Sequence, residues 1–338
     1  MKNKIFNSII VVVSACIFLS FFLFNKGLNS LIQEIKTLNP LWIALAIILM
    51  LLFWLFEMLT LYVITKTFYK ADNLLIKSFK FEMIGQFFGA VSPFSAGSHP
   101  AQLYAMIEDG IPAGISGCIL MIKFIIHQAI NIIILILAVI FKFSYFNSRV
   151  NYFIYFCISG LIVHIFIMIF AVLFSISKNI TSKILMFSIK CLNKFKLVKN
   201  VDSTYKEIEI ELQSFHENAS LMTKNIGMCI YASIFTILQW LAFFSIPYCI
   251  YRSFGFNSAN ILTMITAQIF LINFMAIIPL PGAEGGAEGG FYFIYSLFFK
   301  SSTILTAIFI WRLLTYYSAI AVGGVFAIVL PKSSKKKK

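Results

Sequence analysis

Six apolar runs, each long enough to cross a bilayer, constrain this chain more than any other feature. They cover residues 5–24, 40–64, 112–141, 152–175, 226–250 and 302–330. About 20 helical residues cover the ~30 Å hydrocarbon core of a membrane. The chain is 60% hydrophobic and 12% charged, whereas soluble domains are about half apolar and a quarter charged. The sequence therefore predicts an all-α polytopic membrane protein with about six full spans.

The basic residues predict the orientation of these spans. If the N-terminus is cytoplasmic, the inner loops and tails hold 19 of the 27 basic residues and the outer loops hold six. Cytoplasmic loops of membrane proteins carry an excess of Lys and Arg. We therefore expect a multi-pass protein of the bacterial plasma membrane with both termini in the cytoplasm. Under this topology the basic charge marks membrane sides, so we expect no direct binding of nucleic acid.

Two further segments are too broken to be ordinary spans. Residues 259–300 contain the stretch 279–290, which holds five of the 17 glycines and two of the eight prolines. Residues 81–110 are likewise interrupted, by Pro93, Gly97 and Pro100. Glycine and proline at this density cannot continue a helix. Irregular backbone survives at membrane depth only inside protein or along a watery cavity. We predict two re-entrant hairpins, with eight full spans as the alternative. The expected tip residues are Pro93, Gly97, Pro100, Pro279, Pro281, Gly282 and Gly285.

The order of spans and hairpins indicates an inverted-topology repeat. Each half, about 1–142 and 151–331, reads as two spans, a hairpin and a span, and the halves start on opposite sides. The spacings from Pro93 to Lys123 and from Pro281 to Arg312 are similar, at 30 and 31 residues. Interrupted segments at matching places in two halves point to a binding site. We predict one integral membrane domain over residues 1–331, followed by a basic cytoplasmic tail at 332–338.

The longest polar segment, 178–224, is predicted to be a cytoplasmic amphipathic loop with two helices. Apolar residues from 184 to 195 recur at helical spacing beside lysines, which is typical of a helix on an anionic membrane surface. Residues 206–217 are acidic and polar and predict a solvated helix.

Two cations lie inside predicted spans. Lys123 and Arg312 are each about ten residues into a span, which is near the bilayer midplane. A cation there costs at least ~2.5–3.5 kcal/mol on insertion scales and normally faces a partner inside the protein. In one hypothesis both cations bind a lipid phosphate. In the other, each pairs with a carboxylate, namely Glu57, Glu284 or Glu288.

Further candidates surround these cations. Glu284 and Glu288 lie four residues apart in the second hairpin and could bind a cationic head group or a proton, or pair with a buried cation, with solvated loop acids as the alternative. His99 in the first hairpin and His127 one turn after Lys123 are candidates for head-group or proton contacts, with solvation or packing as the alternative. Tyr316, Tyr317 and Glu57 could line the same cavity, and His164 has no assigned role. The six cysteines and four histidines form no metal spacing, and we predict no metal, no cofactor and no catalytic residue.

Several of these residues carry a resemblance to a known family. The run Trp311-Arg312-Leu313-Leu314-Thr315-Tyr316-Tyr317 and the two interrupted stretches resemble the flippase-like membrane domain of the lysylphosphatidylglycerol synthase family. That domain is the membrane half of the bacterial multiple peptide resistance factor. The second hairpin resembles the family's Pro-x-Pro-Gly-Gly-x-Gly-x-x-Glu pattern at Pro279, Pro281, Gly282, Gly285 and Glu288. Ala283 replaces one of its glycines. The first hairpin resembles Pro-Phe-x-x-Gly-Gly-Gln-Pro at Pro93, Phe94, Gly97 and Pro100, with Ser98-His99 in place of Gly-Gln.

The resemblance implies translocation of phosphatidylglycerol-type or aminoacylated phospholipid between leaflets. Full-length members carry a separate soluble domain that transfers lysine from lysyl-tRNA to phosphatidylglycerol. We expect no such domain here, because the last span is followed only by the basic tail. The alternative is a phosphatidylglycerol lysyltransferase that acts alone or with a separate aminoacyltransferase partner. A non-catalytic scaffold and a homo-oligomer are left open.

Overall fold

The computed structural model describes residues 27–150, 153–194, 201–221 and 224–328, and within these ranges the chain is helical with no strand. The first predicted span and the basic tail lie outside the described residues. Twelve helices within these ranges are numbered in chain order. They are α1 (Leu28–Thr37), α2 (Pro40–Phe68), α3 (Leu74–Ala90), α4 (Ser98–Glu108), α5 (Ala113–Asn147), α6 (Phe153–Ile176), α7 (Lys178–Lys194), α8 (Val201–Ser220), α9 (Ile226–Ser253), α10 (Ile261–Met275), α11 (Gly286–Tyr295) and α12 (Ile304–Ile328).

Five of these helices are long and apolar enough to span a membrane. Helices α2, α5, α6, α9 and α12 contain 24 to 35 residues each, and they coincide with five of the six predicted spans. Large apolar side chains cover their outer surfaces, as on α6, where Phe166 is 71% exposed. An exposed apolar surface of this extent suits lipid rather than water. The chain is a multi-pass membrane protein.

Local sequence sets where two of the apolar helices begin. Pro40 occupies the first turn of α2, where its missing N–H removes no helical hydrogen bond. The Asn39 side chain caps this turn by accepting a hydrogen bond from the N–H of Leu41 at 3.0 Å. Asn260 does the same for α10, accepting from the N–H of Leu262 at 2.8 Å. Each cap satisfies a backbone donor that the helix itself cannot pair.

The two broken segments fold as helix–turn–helix hairpins. Helices α3 and α4 flank a 3₁₀ turn at Pro93–Ser95, and helices α10 and α11 flank a 3₁₀ turn at Pro281–Ala283. All four arms have 17 residues or fewer, which is shorter than the ~20 residues of a full crossing. The two turns contact each other.

The backbone follows the same path through both turns. The residue before each proline is extended, with φ −117° and ψ 146° at Ser92 and φ −119° and ψ 149° at Leu280. The residue after each proline is left-handed, with φ 52° at Phe94 and 57° at Gly282. Two turns of unlike sequence therefore share one conformation, and only the second uses glycine at the left-handed position next to proline.

Hydrogen bonds between helix ends show which loops lie at the same end of the helix bundle. At one end the N–H of Asn39 donates to the carbonyl of Ser253 at 2.8 Å. At the other end the Tyr69 hydroxyl donates to the carbonyl of Gly110 at 3.3 Å, and the Gly114 N–H donates to Glu211 at 2.5 Å. The end of α2, the end of the first hairpin and α8 therefore lie together. This matches the set of basic loops that the lysines predict to share one side.

The polar segment forms two helices, α7 and α8, close to the predicted positions. The expectation that the second is solvated is wrong for one of its faces. Phe215 and His216 of α8 are buried against the bundle, and the backbone of α8 packs on Gly114 of α5. Within residues 206–217, Ile208, Leu212 and Phe215 recur at helical spacing, and this short apolar stripe marks the face that packs on the bundle.

The packed interior consists of two apolar clusters. The larger contains Phe146, Phe153 and Phe270, whose rings pack edge to face or stacked with centroids 4.7–5.5 Å apart. The smaller joins α2, α3, α4, α5, α8 and α9 around residues such as Phe81 and Ile119. The hairpin arms contribute to both clusters, so each hairpin tip is held by a packed scaffold.

Candidate functional site

A cavity of about 840 Å³ lies where the two hairpin tips meet. Its walls come from both hairpins and from α5, α6, α9 and α12. Most lining side chains are apolar. Polar and aromatic side chains in the lining include Gln86, His127, Gln128, Asn131, His164, Trp240, Arg312 and Tyr316. The cavity therefore combines an apolar wall with a permanent cation.

Arg312 is that cation. Its side chain is 1% exposed and is bound on several sides. Nε donates to Oε1 of Glu288 at 2.6 Å, and one terminal nitrogen donates to the carbonyl of Gly282 at 2.9 Å. The guanidinium carbon lies 4.4 Å from the centre of the Tyr316 ring, a cation–π distance. The other terminal nitrogen is buried and has no hydrogen-bond partner among the described residues.

Glu288 ties the second hairpin tip to the last span. Its Oε1 accepts from Arg312, and its Oε2 accepts from the backbone N–H of Gly285 at 2.7 Å. A carboxylate in the first turn of a helix also interacts favourably with the helix dipole. Glu288 thus has a structural partner on each oxygen. Glu284 ends the 3₁₀ turn, where its N–H donates to the carbonyl of Pro281 at 3.2 Å, and it is not among the cavity-lining residues.

A π-helical turn follows Arg312 directly, over Leu313–Tyr317. Such turns are rare and are frequent at functional sites. Tyr316 belongs to this turn, and its hydroxyl donates a hydrogen bond at 3.2 Å to the carbonyl of Ala90. Ala90 is the last residue of α3. Tyr316 lines the cavity, whereas Tyr317 packs on Tyr316 with ring centroids 4.9 Å apart and is not among the lining residues. Tyr316 therefore links the last span to the first hairpin.

Lys123 lies in a different cluster. Its Nζ is 2.5 Å from Oε1 of Glu82 and 3.3 Å from Oε1 of Glu57. Neither Lys123 nor Glu57 is among the cavity-lining residues. Glu57 is one of the carboxylate partners that the sequence suggested, and the role of Lys123 in phosphate binding stays a prediction.

Sequence reasoning missed Glu82. It lies in the apolar arm of the first hairpin, close to the basic loop that precedes it, and it has no local motif. The rule that a buried cation needs a partner could have pointed to it, since it is the acid inside that arm.

The histidines divide between the cavity and the packing around it. His127 lines the cavity and packs on Trp240, with ring centroids 4.8 Å apart. His164, which sequence reasoning left without a role, also lines the cavity, and its Nδ1 lies 2.6 Å from Nε2 of Gln128. His99 packs edge to face on Phe124 and is not among the lining residues. The structure brings together His127 and Arg312 in the cavity lining but not His99.

The remaining tip residues shape the backbone. A β-carbon at Gly97 would lie 2.7 Å from the Phe88 carbonyl oxygen, so the first tip needs glycine there. Gly285 has φ 79°, a conformation that favours glycine, and it precedes α11. Pro93 and Pro281 each open a 3₁₀ turn, and Pro100 lies in the first turn of α4. Pro279 lies between α10 and the second turn.

The arrangement suits an amphipathic anion more than a metal ion. Within the ranges that the structure describes, no group of three or more His, Cys, Asp or Glu side chains could hold a metal ion. The buried guanidinium nitrogen has an unused N–H and lies next to apolar walls. It can donate a hydrogen bond to a phosphate or carboxylate oxygen. Ligand cavities of about 300–1,000 Å³ with few polar groups are typical of small-molecule sites.

Comparison with known proteins agrees with a membrane assignment. Residues 7–323 match the family described as "Lysylphosphatidylglycerol synthase TM region". A relative named "UPF0104 membrane protein" from Archaeoglobus fulgidus is 24% identical over 307 residues, covering 86% of this chain and 87% of the relative. No solved structure matches.

Proposed function

Because the chain belongs to the lysylphosphatidylglycerol synthase TM-region family, we propose that it binds a phospholipid in the cavity between the hairpin tips and moves it between leaflets. The lipid class is phosphatidylglycerol-type or aminoacylated phospholipid. The membrane is the plasma membrane, with both termini in the cytoplasm. The proposal combines the family with the geometry of the cavity.

One observation carries the proposal: Arg312 lines the cavity, and one nitrogen of its buried guanidinium has no hydrogen-bond partner among the described residues. An unsatisfied donor on a buried charged group costs about 1–3 kcal/mol or more. A phosphate oxygen would satisfy it. Glu288 and the Gly282 carbonyl hold the other two nitrogens, so this nitrogen is fixed in direction before the ligand arrives.

The polar lining beside Arg312 supports a head-group site. His127, Gln128 and Asn131 lie within two turns of α5 and all line the cavity. Asn131 also donates to the Asn273 side-chain oxygen at 3.1 Å, so this polar strip continues to α10. Hydroxyls or an amine of a head group could bond here while the acyl chains contact the apolar walls.

The matching hairpin turns support a gating scheme. Two arms of opposite orientation meet at one site in transporters built from inverted repeats. The shared backbone path of the two turns is consistent with such a repeat, and the hairpins would then open the cavity toward opposite leaflets in turn.

The competing function is aminoacyl transfer to phosphatidylglycerol with a partner, because the family description names a synthase. The cavity would then present the lipid acceptor to a separate catalytic domain. Both functions use the same lipid site, and they differ in whether the lipid is moved or chemically modified.

The first experiment measures movement of labelled phosphatidylglycerol and lysyl-phosphatidylglycerol in proteoliposomes, with wild type, Arg312→Ala and Arg252→Ala. Arg252 is the control because it lies at a helix end, 4.8 Å from the Trp42 ring, and not in the cavity lining. We expect movement with wild type and Arg252→Ala, and loss with Arg312→Ala. Equal movement in all three proteins would contradict the proposal. Lysyl-lipid formed from charged tRNA without lipid movement would favour the synthase function.

A further inference from the structure

A second buried cluster holds two carboxylates for a single ammonium. Glu57 on α2 and Glu82 on α3 both face Lys123 on α5, at 3.3 and 2.5 Å. Glu82 is fully buried and Lys123 is 4% exposed. No further ion pair to these three side chains exists in the part of the chain that the structure describes. With all three groups ionised, the cluster carries one net negative charge.

A single bound proton would make this cluster neutral. A buried net charge is costly, whereas a hydrogen-bonded neutral cluster is not. The proton would lie on one of the two carboxylates, while the other stays paired with Lys123. Two carboxylates that approach one site closely share a proton for the same reason in other proteins.

The amide of Gln102 offers an acceptor for that proton. Its Nε2 donates to Oε2 of Glu82 at 2.7 Å, while its own Oε1 is buried with no hydrogen-bond partner among the described residues. A carboxamide can donate to a carboxylate or, turned by 180°, accept from a carboxylic acid. Gln102 can therefore bond Glu82 in both protonation states.

Gln86 connects the cluster to the cavity. Its Nε2 donates to Oε2 of Glu57 at 2.5 Å, and the same residue lines the cavity. A change of charge at Glu57 therefore acts on a side chain that a bound lipid would touch.

We propose that Glu57, Glu82 and Lys123 form a proton-binding site whose occupancy is linked to lipid binding in the cavity through Gln86. This inference rests on the proposed function, since it names the ion coupled to lipid movement. An anionic lipid binds more tightly beside a neutral cluster than beside a negative one. Lipid binding is therefore accompanied by proton uptake, and its affinity increases as the pH falls.

Other titratable groups face this cluster, and their effect on the pH dependence must be distinguished from that of the cluster. His99 on α4 and His127 on α5 lie within electrostatic reach of Lys123. From α12, which packs on α3, the charged group is Arg312, and it stays charged at all accessible pH values. The variant His99→Gln therefore serves as a parallel control, because His99 does not line the cavity.

The test measures the affinity for phosphatidylglycerol in nanodiscs across a range of pH. The proteins are wild type, Glu82→Gln, Glu57→Gln and, as matched control, Glu108→Gln at the end of α4. One linked proton changes the affinity by up to about tenfold per pH unit. We expect this dependence in wild type and Glu108→Gln and its loss in Glu82→Gln. Either substitution in the cluster leaves one carboxylate paired with one ammonium, so the cluster has no net charge. A melting curve for each variant checks that the protein is folded.

Infrared spectra of the same proteins in detergent, recorded across the same range of pH, report the proton without any phospholipid. In wild type the carbonyl band of a buried protonated carboxylic acid should appear as the pH falls, and Glu82→Gln or Glu57→Gln should remove it. If wild type binds no lipid, the proposed function fails and this band alone decides the proton site. An absent band overturns the site. Lipid affinity that is independent of pH, or that keeps its pH dependence in both Glu82→Gln and Glu57→Gln, overturns the coupling.

Discussion

Gly282 packs against the ring of Tyr316 so closely that no side chain fits between them. The contact joins the second hairpin tip to the π-helical turn of α12, next to the bond from Arg312 to the Gly282 carbonyl. Since Tyr316 also bonds to the end of α3, this contact lies at the junction of both hairpins and the last span.

We expect Gly282→Ala to destabilise the protein and to weaken lipid binding. The residue has φ 57°, which costs an alanine roughly 1–2 kcal/mol, and the new methyl group would overlap the Tyr316 ring. The apparent melting temperature and the lipid affinity are the measurements. Gly289→Ala is the control, because it lies inside α11 with open space around it. A Gly282→Ala protein as stable as Gly289→Ala would contradict the assigned packing.

Removal of Glu288 should be more harmful than its neutralisation. Glu288→Ala leaves the buried Arg312 without its carboxylate, and breaking a buried pair in this way costs about 3–5 kcal/mol. Glu288→Gln keeps one oxygen acceptor and should lose less. Denaturation midpoints of the two variants are compared with that of Glu209→Ala, an exposed acid on α8. The prediction fails if Glu288→Ala and Glu209→Ala unfold at the same midpoint.

Lys123→Met should be among the most destabilising single changes in the chain. It leaves Glu57 and Glu82 facing each other in the interior without a cation, at a cost of about 3–5 kcal/mol. Adding Glu82→Gln and Glu57→Gln to the same protein should restore most of the loss, because the cluster is then neutral. Chemical denaturation provides the values. Lys66→Met, at an exposed position on α2, should change stability by less than about 0.5 kcal/mol.

Gly114→Ala should release α8 from the bundle. A β-carbon at Gly114 would overlap the Glu211 carbonyl, whereas one at Gly117 would lie 3.5 Å from the Phe215 ring. Overpacking against backbone costs about 1–3 kcal/mol, and here the cost falls where α8 packs most closely on α5. Limited proteolysis within residues 201–221 should become faster in Gly114→Ala and stay unchanged in Gly117→Ala. Equal cleavage rates would show that the contact does not hold α8.

The apolar runs were enough to locate five spanning helices, because a run such as 226–250 has no alternative to a helix in hydrocarbon. The two hairpins were predictable from their glycines and prolines. Arg312 was identifiable as a site candidate from its depth in a span, and Glu288 as a possible partner.

The three-dimensional pairings were not predictable. Glu82 and Lys123 are 41 residues apart, and no periodicity relates them. His164 was left without a role because an isolated histidine in an apolar span carries no motif. Its place in the cavity depends on how α6 packs beside α5. The burial of Phe215 was also missed, although Ile208, Leu212 and Phe215 recur at spacings of four and three residues and form an apolar stripe among the acids of α8.

The two hairpin turns share a backbone path, but the cations in the helices behind them have different surroundings. Behind the first turn, Lys123 is held by two acids away from the cavity. Behind the second, Arg312 opens onto it. A passage with chemically identical halves would present a lipid with the same series of barriers from either leaflet. If a lipid passes through the cavity as proposed, the order in which it meets these groups depends on the side of entry, so the barriers on the two sides differ even though the two turns are nearly alike.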